Sequence, residues 1–294
     1  MSYQSYKFRK ECLKSDTLRD STLTEPSDVT AIKNINYAGN NDKYNLMDIY
    51  FPKGTEGKLP VIISIHGGGF VYGTKEIYKF YGMYLASLGF TVVNFNYHLA
   101  PRAKFPTPLI ETNKVIEFCI AHADEYHLDM NNTFIVGDSA GAQDANQYAV
   151  IYSNNDYAKH FPFKVPKGFN LRAVGLNCGI YDFDWSPERV GLMKDYVGKE
   201  DKAKKKYGEM LYPLKYINEN YPPAFVMTAV SDFLREKAEP MYNLFKSYGI
   251  ETECKCYGEE GQEYMCHVCH VNMNLSEAKV INTEETDFFK RFVK

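Results

Sequence analysis

In Thr133-Phe134-Ile135-Val136-Gly137-Asp138-Ser139-Ala140-Gly141, a serine stands between two glycines directly after an apolar run, and the residues from Ala142 to Ile151 are compatible with a helix. A strand that reverses sharply into a helix needs glycines because a Cβ would clash at the turn, and the helix N-terminus offers backbone N–H groups to a developing anion. This strand, turn and helix order is typical of a nucleophile elbow. It makes Ser139 the candidate nucleophile.

A second glycine-rich stretch lies upstream of the elbow. Leu59 to Ile65 reads as a fully buried strand, and it leads directly into His66-Gly67-Gly68-Gly69-Phe70. A glycine triplet alone is typical of a flexible turn. Together with the preceding strand and the later elbow, it instead indicates an oxyanion-hole loop, in which backbone N–H groups approach the substrate closely. The predicted donors are the N–H groups of Gly68, Gly69 and Ala140.

These motifs resemble the hormone-sensitive-lipase-like branch of the α/β-hydrolases, and the residues that carry the resemblance are His66 to Phe70, Gly137 to Gly141, and Tyr97-His98-Leu99-Ala100-Pro101 with Phe105-Pro106. The resemblance extends from about Leu46 to the C-terminus. It implies an α/β-hydrolase fold with a mostly parallel central sheet, helices on both faces and a cap over the site. It also implies a serine esterase whose triad occurs in the chain order Ser, Asp, His.

The chain of 294 residues, with 45% hydrophobic and 24% charged residues, predicts one α/β domain over 1–294. Apolar patterning predicts a hairpin over 36–51, helices over 77–88, 108–123, 236–248 and 283–293, and strands over 90–95, 171–177, 224–230 and 251–257. Residues 1–35 and 180–222 do not fit this alternation. The resemblance implies that these two segments form the cap, and the lysine-rich run 199–206 inside the second reads as a solvated helix face.

The acid of the triad is predicted just past the strand that begins at Ala224. Asp232 lies at the carboxyl end of that strand, where α/β sheets place functional groups, and Asp232-Phe233-Leu234 is similar to the family's D-x-L segment. A surface aspartate is the alternative.

The base is predicted in His267-Val268-Cys269-His270. The family usually has H-G-F here, so the segment departs from the pattern. We expect His267 to be the base, because it takes the first position of that segment, and His270 to pack behind the loop. His66 starts the oxyanion loop and is expected to be structural.

Seven cysteines in a chain without a secretion signal indicate free thiols. Six soft ligands are close in sequence: Cys254, Cys256, Cys266, His267, Cys269 and His270. Their spacing lacks the paired knuckles of a structural zinc site. Cys254 and Cys256 are expected to share one face of a strand as small buried residues. We therefore predict no metal and no cofactor.

Charge and hydropathy exclude several classes of partner. A net charge of −3 offers no electrostatic footprint for nucleic acid or anionic lipid, and no apolar run is long enough to span a membrane. The N-terminal residues lack the apolar core of a signal peptide. These features predict a cytoplasmic protein that acts on a small molecule, and they leave a homodimer open.

The combined prediction is a serine carboxylesterase that hydrolyses short-chain acyl esters through Ser139, His267 and Asp232, with an acyl-enzyme intermediate. Phe70 and Tyr72 follow the oxyanion loop and are expected to line the substrate pocket. Two alternatives use the same fold: an amidase or peptidase of arylformamidase-like chemistry, and a ligand-binding homologue without catalysis.

Overall fold

Eight strands form one sheet in the computed structural model, which describes residues 1–294. The strands are β1 Val29–Asn36, β2 Leu46–Pro52, β3 Leu59–Ile65, β4 Thr91–Phe95, β5 Leu128–Asp138, β6 Leu171–Asn177, β7 Ala224–Ala229 and β8 Thr252–Tyr257. Their spatial order is β1-β2-β4-β3-β5-β6-β7-β8. The strands β3 to β8 are parallel, whereas β2 is antiparallel to both β1 and β4. The carboxyl ends of six strands therefore share one edge of the sheet, where an α/β fold places its functional groups.

Nine helices accompany the sheet: α1 Tyr3–Asp20, α2 Lys79–Ser87, α3 Thr107–Ala121, α4 Ala140–Ser153, α5 Asn155–Ala158, α6 Val190–Tyr196, α7 Glu200–Tyr207, α8 Ala238–Ser247 and α9 Ser276–Lys290. Two hydrophobic clusters fill the space between helices and sheet. The larger includes buried residues of α3, α4 and α8, and the smaller includes those of α2 and α9. Helices thus cover both faces of a mostly parallel sheet, which confirms the predicted fold class.

The closing helix is longer than its sequence pattern predicts. It begins at Ser276, about two turns before the predicted start at residue 283. Asn282 lies in this added part and Glu285 lies just after it, and both polar side chains are completely buried. They interrupt the apolar periodicity that would identify the helix. The hairpin predicted over 36–51 begins earlier in the structure. Its two strands are β1, which begins at Val29, and β2, and a 3-10 turn, Lys43–Asn45, precedes β2.

The two segments outside the strand and helix alternation contact each other. The backbone N–H of Ser2 donates to Asp195 Oδ2 at 2.6 Å, and the Ser2 hydroxyl donates to the carbonyl oxygen of Gly191 at 3.1 Å. Gln4 Nε2 donates to the carbonyl oxygen of Glu188 at 2.5 Å. These bonds attach the start of α1 to α6 and its approach. From Val29 onward the first segment instead pairs with the sheet as β1.

A helix needs about 20 predominantly apolar residues to cross a bilayer. None of the nine helices combines enough length with enough apolar character to do so.

Candidate active site

The turn after β5 holds Ser139 in a strained conformation. Its φ of 53° and ψ of −115° lie outside the regions that non-glycine residues favour. The Ser139 N–H donates to the carbonyl oxygen of Asn177 at 2.9 Å, which attaches the turn to the end of β6. Strain of this kind is retained only where the surroundings hold it, and it concentrates at functional sites. The hydroxyl stands at the N-terminus of α4, on the carboxyl edge of the sheet.

The two glycines of the elbow are required by close backbone contacts. A Cβ on Gly137 would fall onto the carbonyl oxygen of Gly141, and a Cβ on Gly141 would fall onto the carbonyl oxygen of Ile65. β5, α4 and β3 therefore approach each other more closely than any side chain permits. This packing brings the elbow beside the loop that follows β3.

His66 begins that loop and is fully buried. Its ring stacks on Tyr97 with centroids 4.1 Å apart, its Nδ1 bonds the carbonyl oxygen of Gly67 at 2.8 Å, and the Tyr97 hydroxyl donates to the His66 carbonyl oxygen at 2.6 Å. Burial lowers the pKa of His66 to about 4, so the ring is neutral near pH 7. These contacts suit a structural residue that shapes the loop.

Asp138 joins the elbow to the oxyanion loop. Its Oδ1 accepts the N–H of Gly67 at 3.2 Å, and its Oδ2 accepts the hydroxyl of Tyr78 at 2.8 Å. Burial raises the pKa of this carboxyl to about 6. Asp138, which precedes Ser139, thus binds Gly67, which precedes Gly68. This contact fixes the relative position of the elbow and the oxyanion loop.

A second buried carboxyl supports the same region from α9. Glu285 Oε1 accepts from Asn177 Nδ2 at 2.9 Å, and Oε2 accepts from the Tyr81 hydroxyl at 3.3 Å. Asn177 in turn receives the N–H of Ser139 on its carbonyl oxygen. Burial raises the pKa of Glu285 from its usual 4.5 to about 7. The folded chain therefore retains this proton at a pH where the unfolded chain has released it.

We expect Glu285→Gln to change how stability depends on pH. The folded state binds more protons at Glu285 than the unfolded state between the two pKa values, so the contribution of Glu285 to stability falls as pH rises through this window. The unfolding free energy of the variant minus that of the wild type should therefore increase by about 3 kcal/mol as the pH rises from about 4 to about 8. Urea unfolding at several pH values measures this difference. A difference that stays constant with pH would contradict a protonated Glu285.

Asp232 and His267 form a direct pair. His267 Nδ1 lies 2.6 Å from Asp232 Oδ1. The carboxylate also accepts the N–H of Leu234 and the hydroxyl of Thr228, both at 2.9 Å. Burial is the largest single influence and opposes ionisation, but the hydrogen bonds from His267, Leu234 and Thr228 and the charge of His267 together hold the pKa of Asp232 below its usual value. Asp232 is therefore ionised, and the His267 ring is oriented with Nε2 available to another group.

Val268 explains how the base loop differs from the H-G-F pattern. It has a φ of 56° in the left-handed region, which glycine adopts freely and a β-branched residue rarely does. Its N–H donates to Cys178 Sγ at 3.4 Å. The departure from the family pattern thus replaces the residue type while the backbone keeps a glycine-like conformation.

His270 lies behind the loop. Its ring is fully buried with an edge contact to Tyr81 at 5.3 Å between centroids, and its carbonyl oxygen accepts from Asn282 Nδ2 at 2.9 Å. Burial lowers the pKa of His270 to about 3. Unlike His267, it does not line the cavity described next.

A cavity of about 780 Å³ opens over the elbow. Its lining includes Ser139, His267, Gly68, Gly69 and Ala140, so the structure brings these predicted residues together. Asp232 lies behind His267 and does not line it. The predicted pocket residues Phe70 and Tyr72 also line the cavity, and the Phe70 ring stacks on Tyr196 with centroids 4.0 Å apart.

Several lining residues have no motif in the sequence. The segment that contains α1 supplies Phe8, Cys12, Asp16 and Arg19, and α6 supplies Leu192 and Met193. A Cβ on Gly69 would lie 2.9 Å from Leu192 Cδ2, so α6 sits directly on the oxyanion loop. Phe233 packs against the His267 ring with centroids 4.1 Å apart, and it was not among the predicted pocket residues.

The cysteine-rich stretch does not assemble into a metal cluster. Cys254 is partly exposed and Cys256 is exposed, which contradicts the expectation that both are buried in their strand. β8 is the last strand of the sheet, so its side chains are covered less than those of a central strand.

The structure has one group of clustered potential ligands, Cys178, Asp232 and His267, whose ligand atoms lie within 4.8 Å of one another. It contains the hydrogen-bonded Asp232 and His267 pair. Burial raises the pKa of Cys178 well above its usual value, so this residue presents a thiol here, and its Sγ accepts the N–H of Val268.

Comparisons with known proteins agree with this geometry. Two curated relatives are an alpha/beta hydrolase, R526, of Acanthamoeba polyphaga mimivirus, 26% identical over 221 residues, and an acetyl esterase of Salmonella choleraesuis, 27% identical over 223 residues. The matches cover 72% and 71% of this chain but 63% and 66% of the relatives, so the chain matches somewhat less than two thirds of their length.

Solved structures show the same fold. An inhibited esterase B from Lactobacillus rhamnosis superposes with a TM-score of 0.88 at 20% identity, over 99% of this chain and 97% of that one. A bacterial heroin esterase superposes with a TM-score of 0.76 at 19% identity, over 97% and 91% of the two chains. Together with the sequence relatives, these likenesses confirm the resemblance to hormone-sensitive-lipase-like α/β-hydrolases.

The family model described as BD-FAE matches residues 47–237, which is more than half of the chain. This range includes the oxyanion loop, the elbow and Asp232, and it ends before His267. The chain belongs to the BD-FAE family of α/β-hydrolases.

Proposed function

We propose that this chain is a serine carboxylesterase that hydrolyses short-chain acyl esters. The observation that carries the proposal is the 2.6 Å bond between His267 Nδ1 and Asp232 Oδ1, at a cavity that is also lined by Ser139 on its strained turn. The names of the relatives, an acetyl esterase among them, support the same chemistry. The open Nε2 of His267 is the atom that would receive the serine proton.

The proposed reaction uses these groups in two steps. Ser139 Oγ attacks the ester carbonyl while His267 takes its proton, and Asp232 holds the imidazole tautomer and stabilises its charge. The N–H groups of Gly68, Gly69 and Ala140 bind the oxyanion. His267 then returns the proton to the departing alcohol, and water attacks the acyl-enzyme with the same histidine as base. Loss of one oxyanion donor typically costs about 3 kcal/mol of transition-state stabilisation.

We assign the cap to α1 and to the segment that contains α6. Their hydrogen bonds to each other, and the lining residues that both contribute to the cavity, support this assignment. α7 carries the lysine-rich run, and its lysines are solvent-exposed. The cytoplasmic location and the homodimer stay predictions.

A panel of p-nitrophenyl esters tests the proposal. We expect kcat/KM to be highest for acyl chains from acetyl to hexanoyl and to fall toward palmitoyl, because α1 and α6 cover the cavity and limit its length. Short p-nitroanilides run beside the esters distinguish an amidase. A kcat/KM that rises steadily to palmitoyl would contradict the short-chain preference, and faster turnover of the anilides would replace the esterase proposal with an amidase.

A further inference from the structure

Helix α1 presents large apolar side chains to solvent. Five of the eleven large hydrophobic side chains that the fold leaves exposed lie within residues 1–18, so this short segment holds far more than its share. Three of them project from one side of α1: Tyr3 is 80% exposed, Leu13 57% and Tyr6 53%. A surface helix ordinarily turns such residues toward the core.

The side of α1 that faces the cavity has the opposite composition. The residues with which it lines the cavity are mostly small, polar or charged, and they are Phe8, Cys12, Ser15, Asp16 and Arg19. Successive residues of an α-helix are about 100° apart around its axis, which places Tyr3, Tyr6 and Leu13 on the side away from the cavity. The polarity of α1 is therefore the reverse of that of an ordinary surface helix.

Lysines accompany the exposed apolar residues. Lys7, Lys10 and Lys14 are exposed on the same side of the helix and, with Tyr3, Tyr6 and Leu13, form what we call the outward face of α1. Lys7 pairs with Glu11 at 3.7 Å, whereas Lys10 and Lys14 pair with no carboxylate of the chain. The net charge of −3 describes the whole chain and not this face, where three lysines accompany one glutamate. The outward face therefore complements a negatively charged partner.

The side chains of the outward face favour a lipid surface over a second copy of the chain. Tyrosine has an apolar ring with a polar tip, and lysine has an apolar stem with a charged tip, so both suit the boundary between lipid headgroups and acyl chains. A second copy packed on this face across a two-fold axis would bring two sets of lysines together, and like charges repel. Anionic headgroups instead supply the opposite charge.

We propose that the outward face of α1 binds the surface of an anionic lipid layer. Its tyrosines and its leucine enter the headgroup region, and its lysines contact the lipid phosphates. The helix lies along the layer and does not cross it, which agrees with its limited apolar character. Because the opposite side of α1 lines the cavity, the cavity would lie about one helix width, roughly 10 Å, from the layer. This binding does not depend on the esterase function proposed above.

Sedimentation with lipid vesicles tests the proposal. Vesicles of phosphatidylcholine alone are compared with vesicles in which about one third of the lipid is phosphatidylglycerol. We expect the wild type to partition at least about tenfold more strongly onto the anionic vesicles. About 0.5 M NaCl should release most of the bound protein, because salt screens the attraction between exposed charges.

Two double variants separate the charged and apolar parts of the outward face. Lys10→Gln with Lys14→Gln should lower the partition coefficient on the anionic vesicles about 25-fold, since each lysine near such a surface contributes about fivefold. Tyr6→Ser with Leu13→Ser should lower it about tenfold, because less apolar surface then leaves water.

Lys246→Gln with Tyr248→Ser is the matched control, because these side chains are likewise exposed but lie at the end of α8. This variant should bind vesicles like the wild type, and melting temperatures verify that all variants fold. Equal partitioning onto the two kinds of vesicle, or binding to neither, would overturn the proposal. It would also be overturned by a wild-type dimer in analytical ultracentrifugation that Tyr6→Ser with Leu13→Ser dissociates, since the outward face would then bind a second copy.

Discussion

Ser139→Ala should remove nearly all ester hydrolysis while the protein stays folded. The substitution deletes the nucleophilic oxygen, and loss of a triad serine ordinarily lowers kcat by a factor of about 10⁶. The side chain is only partly buried on the turn, so its removal leaves no large cavity in the core. Stability should therefore change little. Turnover of p-nitrophenyl acetate, with far-UV circular dichroism and the melting temperature, measures both effects.

Thr133→Ser provides a control for the loss of a small group from β5, the strand that leads into the elbow. Thr133 is a fully buried residue of β5 whose hydroxyl donates to the carbonyl oxygen of Met130 at 3.2 Å. Removing its methyl group should lower stability slightly and leave turnover near that of the wild type. Activity of Ser139→Ala within about tenfold of the wild type would show that another residue is the nucleophile.

The parts of the site that the sequence predicts are those encoded by short segments. The elbow from Gly137 to Gly141 and the glycine-rich loop from His66 carry their geometry in a few consecutive residues, because the backbone contacts there exclude any Cβ. Asp232 could be predicted from its place after a strand. Each of these signals depends on neighbours in the chain, and the structure places all three at the carboxyl edge of the sheet.

The remaining parts depend on contacts between distant segments. The bond from Tyr78 to Asp138 joins residues 60 positions apart, and the bond from Asn177 to Glu285 joins residues 108 positions apart. The resemblance implies that residues 1–35 belong to the cap, but no sequence signal identifies which residues of α1 line the cavity, since Asp16 and Arg19 are of types that usually face solvent. Tertiary packing alone brings these groups together.

Either His267 or His270 could be the general base, and we expect it to be His267. His267→Gln should therefore lower kcat by a factor of about 10⁴ to 10⁶. Glutamine can still donate a hydrogen bond toward Asp232, which lies 2.6 Å from His267 Nδ1, but it cannot accept and return a proton. Because the His267 side chain is 17% exposed and remains close to solvent, the melting temperature should change little.

His270→Gln should show the opposite pattern. Its ring is fully buried against Tyr81, and its replacement leaves a misfitting polar group in the core, so stability should fall by about 1 to 3 kcal/mol. Turnover at a temperature where the variant is folded should stay within about tenfold of the wild type. The two variants are compared for kcat and for melting temperature under the same conditions. If His270→Gln abolishes turnover while His267→Gln retains it, the base is His270, and the pair of Asp232 and His267 is structural.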